Sequence, residues 1–224
     1  MTTAVKPINA PLINIITRTS GRPIGFEKNR ESVLNQTYEN INHIVLTDDA
    51  ESIEYLRKLD VDYIFIDRDE IIKAIPEPNI NPKGTTLFLP HNLYLNKIIK
   101  TINDGWIFYL DDDDHLADKL VIENIVKNIT PDDELLYWKM RFPDGNILPD
   151  AECFNGKRPL ACRIGGCCHG VHSARKDYIK WDSWNMSDYR VMKRLDDAIP
   201  NKKWLDIIAV NKGNHGGHGN KKDI

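Results

Sequence analysis

At 224 residues the chain is long enough to bury a sizeable core as one α/β domain, and 41% apolar with 28% charged residues is the composition of a globular protein rather than a disordered one. A formal net charge of −3 with no large basic block excludes a general phosphate-backbone surface, so nucleic acid is not an expected partner and any nucleotide bound is a small molecule. The opening Met1 to Pro7 lacks the apolar core of a signal peptide and no stretch is long enough for a membrane span, so a cytoplasmic location is expected, with Cys153, Cys162, Cys167 and Cys168 as free thiols.

Residues 12–19 read as a first strand ending in polar groups, followed by a loop at 20–25. Apolar residues set among Glu27, Lys28, Arg30 and Glu31 predict a helix over 26–36. A second strand, 41–47, closes on Asp48 and Asp49, so the three elements form a βαβ unit with a right-handed crossover. Residues 52–59 suit a helix and 61–66 a third strand; Pro76, Pro78, Pro82 and the Lys83-Gly84 pair then impose a loop. Leu93, Leu95, Ile98, Ile99 and Ile102 predict a helix over 92–102.

That helix delivers the chain into its most informative stretch. Residues 105–110 are apolar on both alternating faces, the pattern of a strand buried inside a parallel sheet, and they stop at Asp111, Asp112, Asp113 and Asp114. Carboxylates about 4 Å apart repel by roughly 4 kcal/mol at a surface-like dielectric, so the run asks for a cation. In α/β sheets ligands gather at carboxyl strand ends, where Mg²⁺ or Mn²⁺ is held by one or two carboxylates and substrate phosphates. Beyond it come a helix over 118–129, a strand over 135–142, a turn at 143–146 with a returning strand, an irregular segment over 150–170, a helix over 187–195 with Ser187 as N-cap, and a last strand over 204–210. Residues 211–224 are either a tail or a lid carrying His215 and His218.

Ser32-Val33-Leu34-Asn35-Gln36-Thr37-Tyr38, followed by a strand ending in Asp48-Asp49, resembles the opening of the family 2 inverting glycosyltransferases. Leu110 to Asp114 resembles that family's D-x-D-D metal motif, and Leu116, Asp118, Lys119 and Leu120 match its continuation. The resemblance covers most of the chain up to Leu120 and weakens afterwards. It implies a GT-A fold, a mostly parallel central sheet flanked by helices, with a nucleotide-sugar-binding half over 1–120, an acceptor-binding half over 121–210 and a tail or lid over 211–224. It further implies a hexosyltransferase-type enzyme with a divalent cation, Mn²⁺ or Mg²⁺, a nucleotide-sugar donor of which a UDP-sugar is the commoner kind, and a glycan or other hydroxyl acceptor.

The family's base is usually the Asp of an E-D pair opening a late helix; Ser187 stands in place of that Glu, and the residue carried over is Asp188. A second departure is Ala50-Glu51, where the family commonly has Gly-Ser. Asp111 and Asp113 are assigned to the metal because alternate residues share a face if the strand persists, with Asp111 and Asp112 near ribose or phosphate; a slipped register would use Asp112 and Asp114. Thr17, Arg18 and Thr19 with Asp49 are placed to hold the base and ribose, Asn92 and the Lys83-Gly84 loop fall where the family approaches the nucleotide, and His215 is the tail residue that would reach the metal. Trp181 and Trp184 are candidates to stack on a sugar, at least one of them being core, and the cysteines with His169 and His172 fit no paired zinc spacing. Two rivals remain: a sugar-phosphate nucleotidyltransferase, disfavoured by the glycine-poor Ser20-Gly21-Arg22-Pro23, and a non-catalytic carbohydrate-binding module.

Overall fold

In the computed structural model, which describes residues 10–75, 82 and 86–213, one nine-stranded mixed sheet organises the chain. Four strands form its parallel side: β1 (Ile13–Arg18), β2 (Ile41–Thr47), β3 (Tyr63–Phe65) and β4 (Trp106–Tyr109), in the order β3-β2-β1-β4. They are joined through α1 (Pro23–Leu34), α2 (Ala50–Lys58), α3 (Arg68–Lys73) and α4 (Leu93–Ile99), the last entered through a 3-10 turn at Pro90–Asn92.

The sheet continues from β4 through β8 (His169–His172), β6 (Leu135–Arg141), β9 (Lys202–Asn211) and the two-residue β5 (His115–Leu116), with β7 (Ile147–Leu148) paired to β6. Here the pairing is mixed: β4–β8, β6–β8, β6–β7 and β5–β9 are antiparallel and β6–β9 is parallel. The remaining helices are α5 (Val121–Lys127), α6 (Ala151–Asn155) and α7 (Ser187–Ala198), with a second 3-10 turn at Ser173–Tyr178.

Local chemistry accounts for most boundaries. Pro23 opens α1, where a missing N–H costs nothing, and Asp49, Asp67 and Asp150 cap α2, α3 and α6 by accepting first-turn backbone N–H groups. β3 is shorter than the predicted 61–66 because it is an edge strand with Ile64 and Phe65 exposed, so burial does not extend it. β8 emerges from the segment read as irregular. Its Gly170 lets the strand pass the Phe108 and Trp138 rings, since a Cβ there would lie 2.3 Å from Phe108; the glycine serves packing. Ser187 is not the N-cap expected of it: Met186, in the left-handed conformation, precedes α7, and the Ser187 hydroxyl accepts the Asp182 N–H at 2.8 Å.

β4 is buried along its whole length and is entered through a bend at Gly105. Gly105 has φ +76°, and a Cβ there would fall 2.2 Å from the Leu12 carbonyl oxygen, which accepts the Trp106 N–H at 2.8 Å. Gly105→Ala is therefore expected to destabilise the protein by about 2–3 kcal/mol in urea unfolding, from left-handed strain and the displaced backbone. Among the described residues no helix is long and apolar enough to cross a membrane.

Candidate active site

The carboxyl ends of β1, β2 and β4 open into a cleft of about 600 Å³, lined among others by Arg18, Arg22, Asp48, Arg68, Asp111 and Lys212. The S-V-L-N-Q-T-Y stretch lies beneath it as a brace. Gln36 donates to the Asp118 carbonyl at 2.7 Å and accepts the Ile122 N–H at 3.1 Å, while the Ser32 hydroxyl accepts the Leu116 N–H at 3.0 Å. One turn earlier, the Asn29 amide donates to the Asp111 and Asp114 carbonyls at 2.8 and 3.0 Å. α1 thus fixes the backbone of the acidic segment, and this explains why those residue types sit where they do.

The aspartates themselves do not alternate. β4 ends at Tyr109, and the Asp114 N–H donates to the Asp111 carbonyl at 2.9 Å, so the four acids ride a tight turn. The Asp111 side chain is 47% exposed and meets Arg18 at 3.4 Å. Asp112 and Asp113 are buried against Arg22, at 2.9 and 3.5 Å. Asp114 is wholly buried and accepts from the Gly213 N–H at 3.1 Å and from Lys212 at 3.0 Å. The Lys212 ammonium also lies 3.6 Å from Asp113 and 3.9 Å from Asp111.

The titration of these groups follows from that arrangement. Burial pushes Asp112 up to about 6 against the pull of Arg22, and pushes Asp114 up to about 7 against Lys212. Desolvation acts the same way on Asp111, but Lys212 and Arg18 outweigh it and hold that carboxyl below its ordinary value. Lys212 is raised: desolvation opposes its charge, and Asp111, Asp114 and Asp113 more than offset it.

A second cavity of about 170 Å³ adjoins the first and shares Arg18 and Asp111 with it. Asn92, Tyr109, Trp181 and Asp188 line its other sides. Asn92 orients the shared arginine, accepting from Arg18 at 3.0 Å. Asp188 sits in the first turn of α7, where its carboxylate accepts the Tyr189 N–H at 2.8 Å. Burial, with help from Asp111, raises its pKa, and the Tyr189 N–H, Arg18 and Arg190 oppose the rise.

The structure thus brings Arg18, Thr19, Asp111, Asp112 and Asp113 to the larger cleft and Asn92 and Asp188 to the smaller. Two sequence-predicted ligands are elsewhere. Thr17 is fully buried, its hydroxyl 3.0 Å from His43, and is outside the cleft lining because alternate residues of β1 face opposite ways. Asp49 caps α2 through the Glu51 N–H and the Ser52 hydroxyl; its neighbour Asp48 faces the cleft and accepts from the Tyr94 hydroxyl at 2.7 Å. His215, His218 and the Lys83-Gly84 pair lie outside the described residues.

Trp181 is buried edge-on against Tyr109, and Trp184 packs against Phe88. Cys153, Cys167 and Cys168 are buried free thiols and Cys162 is an exposed one. Sequence reasoning missed Arg22, Arg68, Tyr94 and Lys212. Only Arg22, in the loop straight after β1, carried a positional signal.

Neither a family model nor a curated protein sequence matches the chain. Solved structures do. S. aureus TarS 1–349 in complex with UDP-GlcNAc is 14% identical over 93% of this chain and 60% of that one, with a TM-score of 0.63. The mannosyltransferase PcManGT from Pyrobaculum calidifontis, in complex with GDP-Man and Mn²⁺, is 11% identical over 95% of this chain and 60% of that one, with a TM-score of 0.60. Glucosyl-3-phosphoglycerate synthase from Mycobacterium tuberculosis, in complex with Mn²⁺, UDP and glucosyl-3-phosphoglycerate, is 9% identical over 92% of this chain and 73% of that one, with a TM-score of 0.59. At such identities the likeness shows the fold, a mixed α/β sheet flanked by helices of the GT-A glycosyltransferase type. The chain spans 60% of the length of the TarS and mannosyltransferase chains.

Proposed function

We propose that this protein is an inverting glycosyltransferase that moves a sugar from a nucleoside-diphosphate donor in the larger cleft to an acceptor hydroxyl entering the smaller one. The observation that carries the reading is that two adjoining cavities share Arg18 and Asp111, with Asp188 among the residues that line the smaller. Sugar transfer needs charge stabilised on a leaving diphosphate and a proton taken from an acceptor, in two neighbouring places. Residues 1–120 supply most of the first place; α7, from residues 121–210, supplies the base of the second.

The acid turn suits a hard divalent cation, Mn²⁺ or Mg²⁺. Among the described residues no three donor side chains form a complete cage, but Asp111 and Asp113 converge on one cationic point, the Lys212 ammonium, and such ions are usually held by one or two carboxylates together with substrate phosphates. Asp111 and Asp113 would hold the ion, which supplies Lewis-acid charge to the departing diphosphate. Arg18, kept in place by Asn92 and Asp111, is the protein's own cation where the two cavities meet. Asp188, raised by burial, is a carboxylate suited to accept the acceptor's proton, and attack from its side displaces the diphosphate from the opposite face of the sugar.

Asp48 reads the base. Tyr94 holds its Oδ2 and Arg68 flanks it at 3.9 Å, and the carboxylate, which lines the cleft, would accept a ring N–H of the kind uracil and guanine present. Asp48→Asn is expected to weaken UDP or GDP binding about 10- to 100-fold in isothermal titration, since a hydrogen bond to a charged group contributes about 1.5–3 kcal/mol. The function itself is tested by incubating the chain with a panel of UDP- and GDP-sugars and Mn²⁺. Nucleoside diphosphate should be released from at least one donor and not by Asp111→Ala. A folded protein that binds no nucleoside diphosphate would end the proposal.

A further inference from the structure

Lys212 is the first residue after β9, and its position is set by backbone bonds that do not involve its side chain. Its N–H donates to the Arg141 carbonyl at 2.8 Å, and the next N–H, of Gly213, donates to the Asp114 carboxylate at 3.1 Å. A Cβ on Gly213 would fall 1.8 Å from the Asp113 carbonyl oxygen, so this strand end lies directly against the acid turn. The ammonium makes two kinds of contact. To wholly buried Asp114 it is within hydrogen-bond distance, 3.0 and 3.1 Å to the two oxygens; to Asp113 and Asp111, on the cleft side, it is at 3.6 and 3.9 Å. Lys212 itself lines the cleft.

We propose that Lys212 is an exchangeable internal counter-ion: in the ligand-free protein its ammonium holds the point between Asp111 and Asp113 that a divalent cation takes, and it gives up that point when the ion arrives. The inference rests on the nucleotide-sugar reading of the cleft. An ion within ligand distance of both carboxylates would stand a few ångströms from the ammonium and take the same carboxylate oxygens, so the two cations repel and compete for one place. Because the Lys212 backbone is pinned, the exchange is a side-chain rotation of four methylenes, and the open direction is the cleft. An ammonium released there meets the diphosphate of a bound donor. Metal and nucleotide binding are therefore coupled through one side chain: each removes part of the cost of the other, and the coupling is reciprocal.

The test is Mn²⁺ binding to the nucleotide-free full chain, read by the electron paramagnetic resonance of free Mn²⁺, for wild type, Lys212→Met and Lys212→Arg. The Met variant should bind Mn²⁺ at least about tenfold more tightly than wild type, the Arg variant should match wild type, and the tightening produced by saturating UDP should shrink in the Met variant. Equal Mn²⁺ affinity in folded wild type and Met variant overturns the proposal. Failure of every form to bind Mn²⁺ while UDP still binds also overturns it, and leaves the nucleotide reading standing. Tighter Mn²⁺ in the Met variant with no UDP binding in any form upholds the counter-ion and removes the nucleotide reading. Should the Met variant not fold, the wild type alone decides: Mg²⁺ should raise the rate at which acetic anhydride modifies Lys212, measured by mass spectrometry, and an unchanged rate overturns the exchange.

Discussion

Asp188→Asn should cut turnover by about 10²–10⁴-fold while leaving the donor's Kd within about twofold. The asparagine keeps the acceptor oxygen that receives the Tyr189 N–H, so α7 retains its first-turn hydrogen bond and the protein its unfolding midpoint. Only the carboxylate proposed to accept the proton is lost. The pH profile gives a second readout. A protonated Asp188 accepts nothing, so kcat/KM should fall as pH drops through its pKa, and burial places that limb above the ordinary carboxylate range. Asp111, Arg18 and Arg190 face the group; the first raises the limb and the two arginines lower it. In Asp188→Asn the limb should vanish from whatever rate remains. A variant with wild-type turnover and an unchanged profile would reduce Asp188 to a helix-end charge, worth about 0.3–1 kcal/mol to α7.

What the sequence reveals of this site depends on whether a residue's role is decided locally or across the fold. β1, β2 and β4 are legible because each is an apolar run that ends at polar groups, and a buried strand ending in acids has few places to sit in an α/β sheet. The choice between Asp48 and Asp49 is not legible. Neighbouring acids differ by which way the backbone turns into α2, and the residue that becomes its cap is removed from the cleft. The same alternation that turns Arg18 to the cleft turns Thr17 away from it.

The acid turn shows the limit most plainly. Sharing a face between Asp111 and Asp113 assumed a continuing strand, yet the chain turns immediately after Tyr109 and Leu110. The two carboxylates still converge, because Lys212 arrives from 98 residues away from Asp114 to stand between them. A single lysine between Asn211 and Gly213 has no local signature of such a role, and the expected need for a cation at the four aspartates is met in part by Arg18, Arg22 and Lys212. β8 escaped notice for a related reason. Its glycine, a strand breaker by propensity, is required only by rings on β4 and β6.

Arg22→Met should be the most destabilising of the changes considered, by about 3–5 kcal/mol at pH 8 in urea unfolding, because it strips the cation from two buried carboxylates at once. The sign of its pH dependence is fixed by Asp112. Burial has already raised that carboxyl to about 6 with Arg22 present, and removing the guanidinium raises it further. A folded-state pKa above the unfolded value favours the folded protein below the unfolded pKa, and that advantage is lost as pH climbs through the folded value. The deficit of Arg22→Met relative to wild type should therefore be smallest near pH 5 and widen towards pH 8. Arg22→Met with Asp112→Asn should recover part of it at pH 8 and flatten the slope, since the amide has no charge to leave stranded. A deficit below about 1 kcal/mol that does not change with pH would mean that water, not Arg22, compensates these acids. The turn would then be a solvated surface feature, and the cleft would lose the rigid acidic floor on which the proposed donor and cation binding rests.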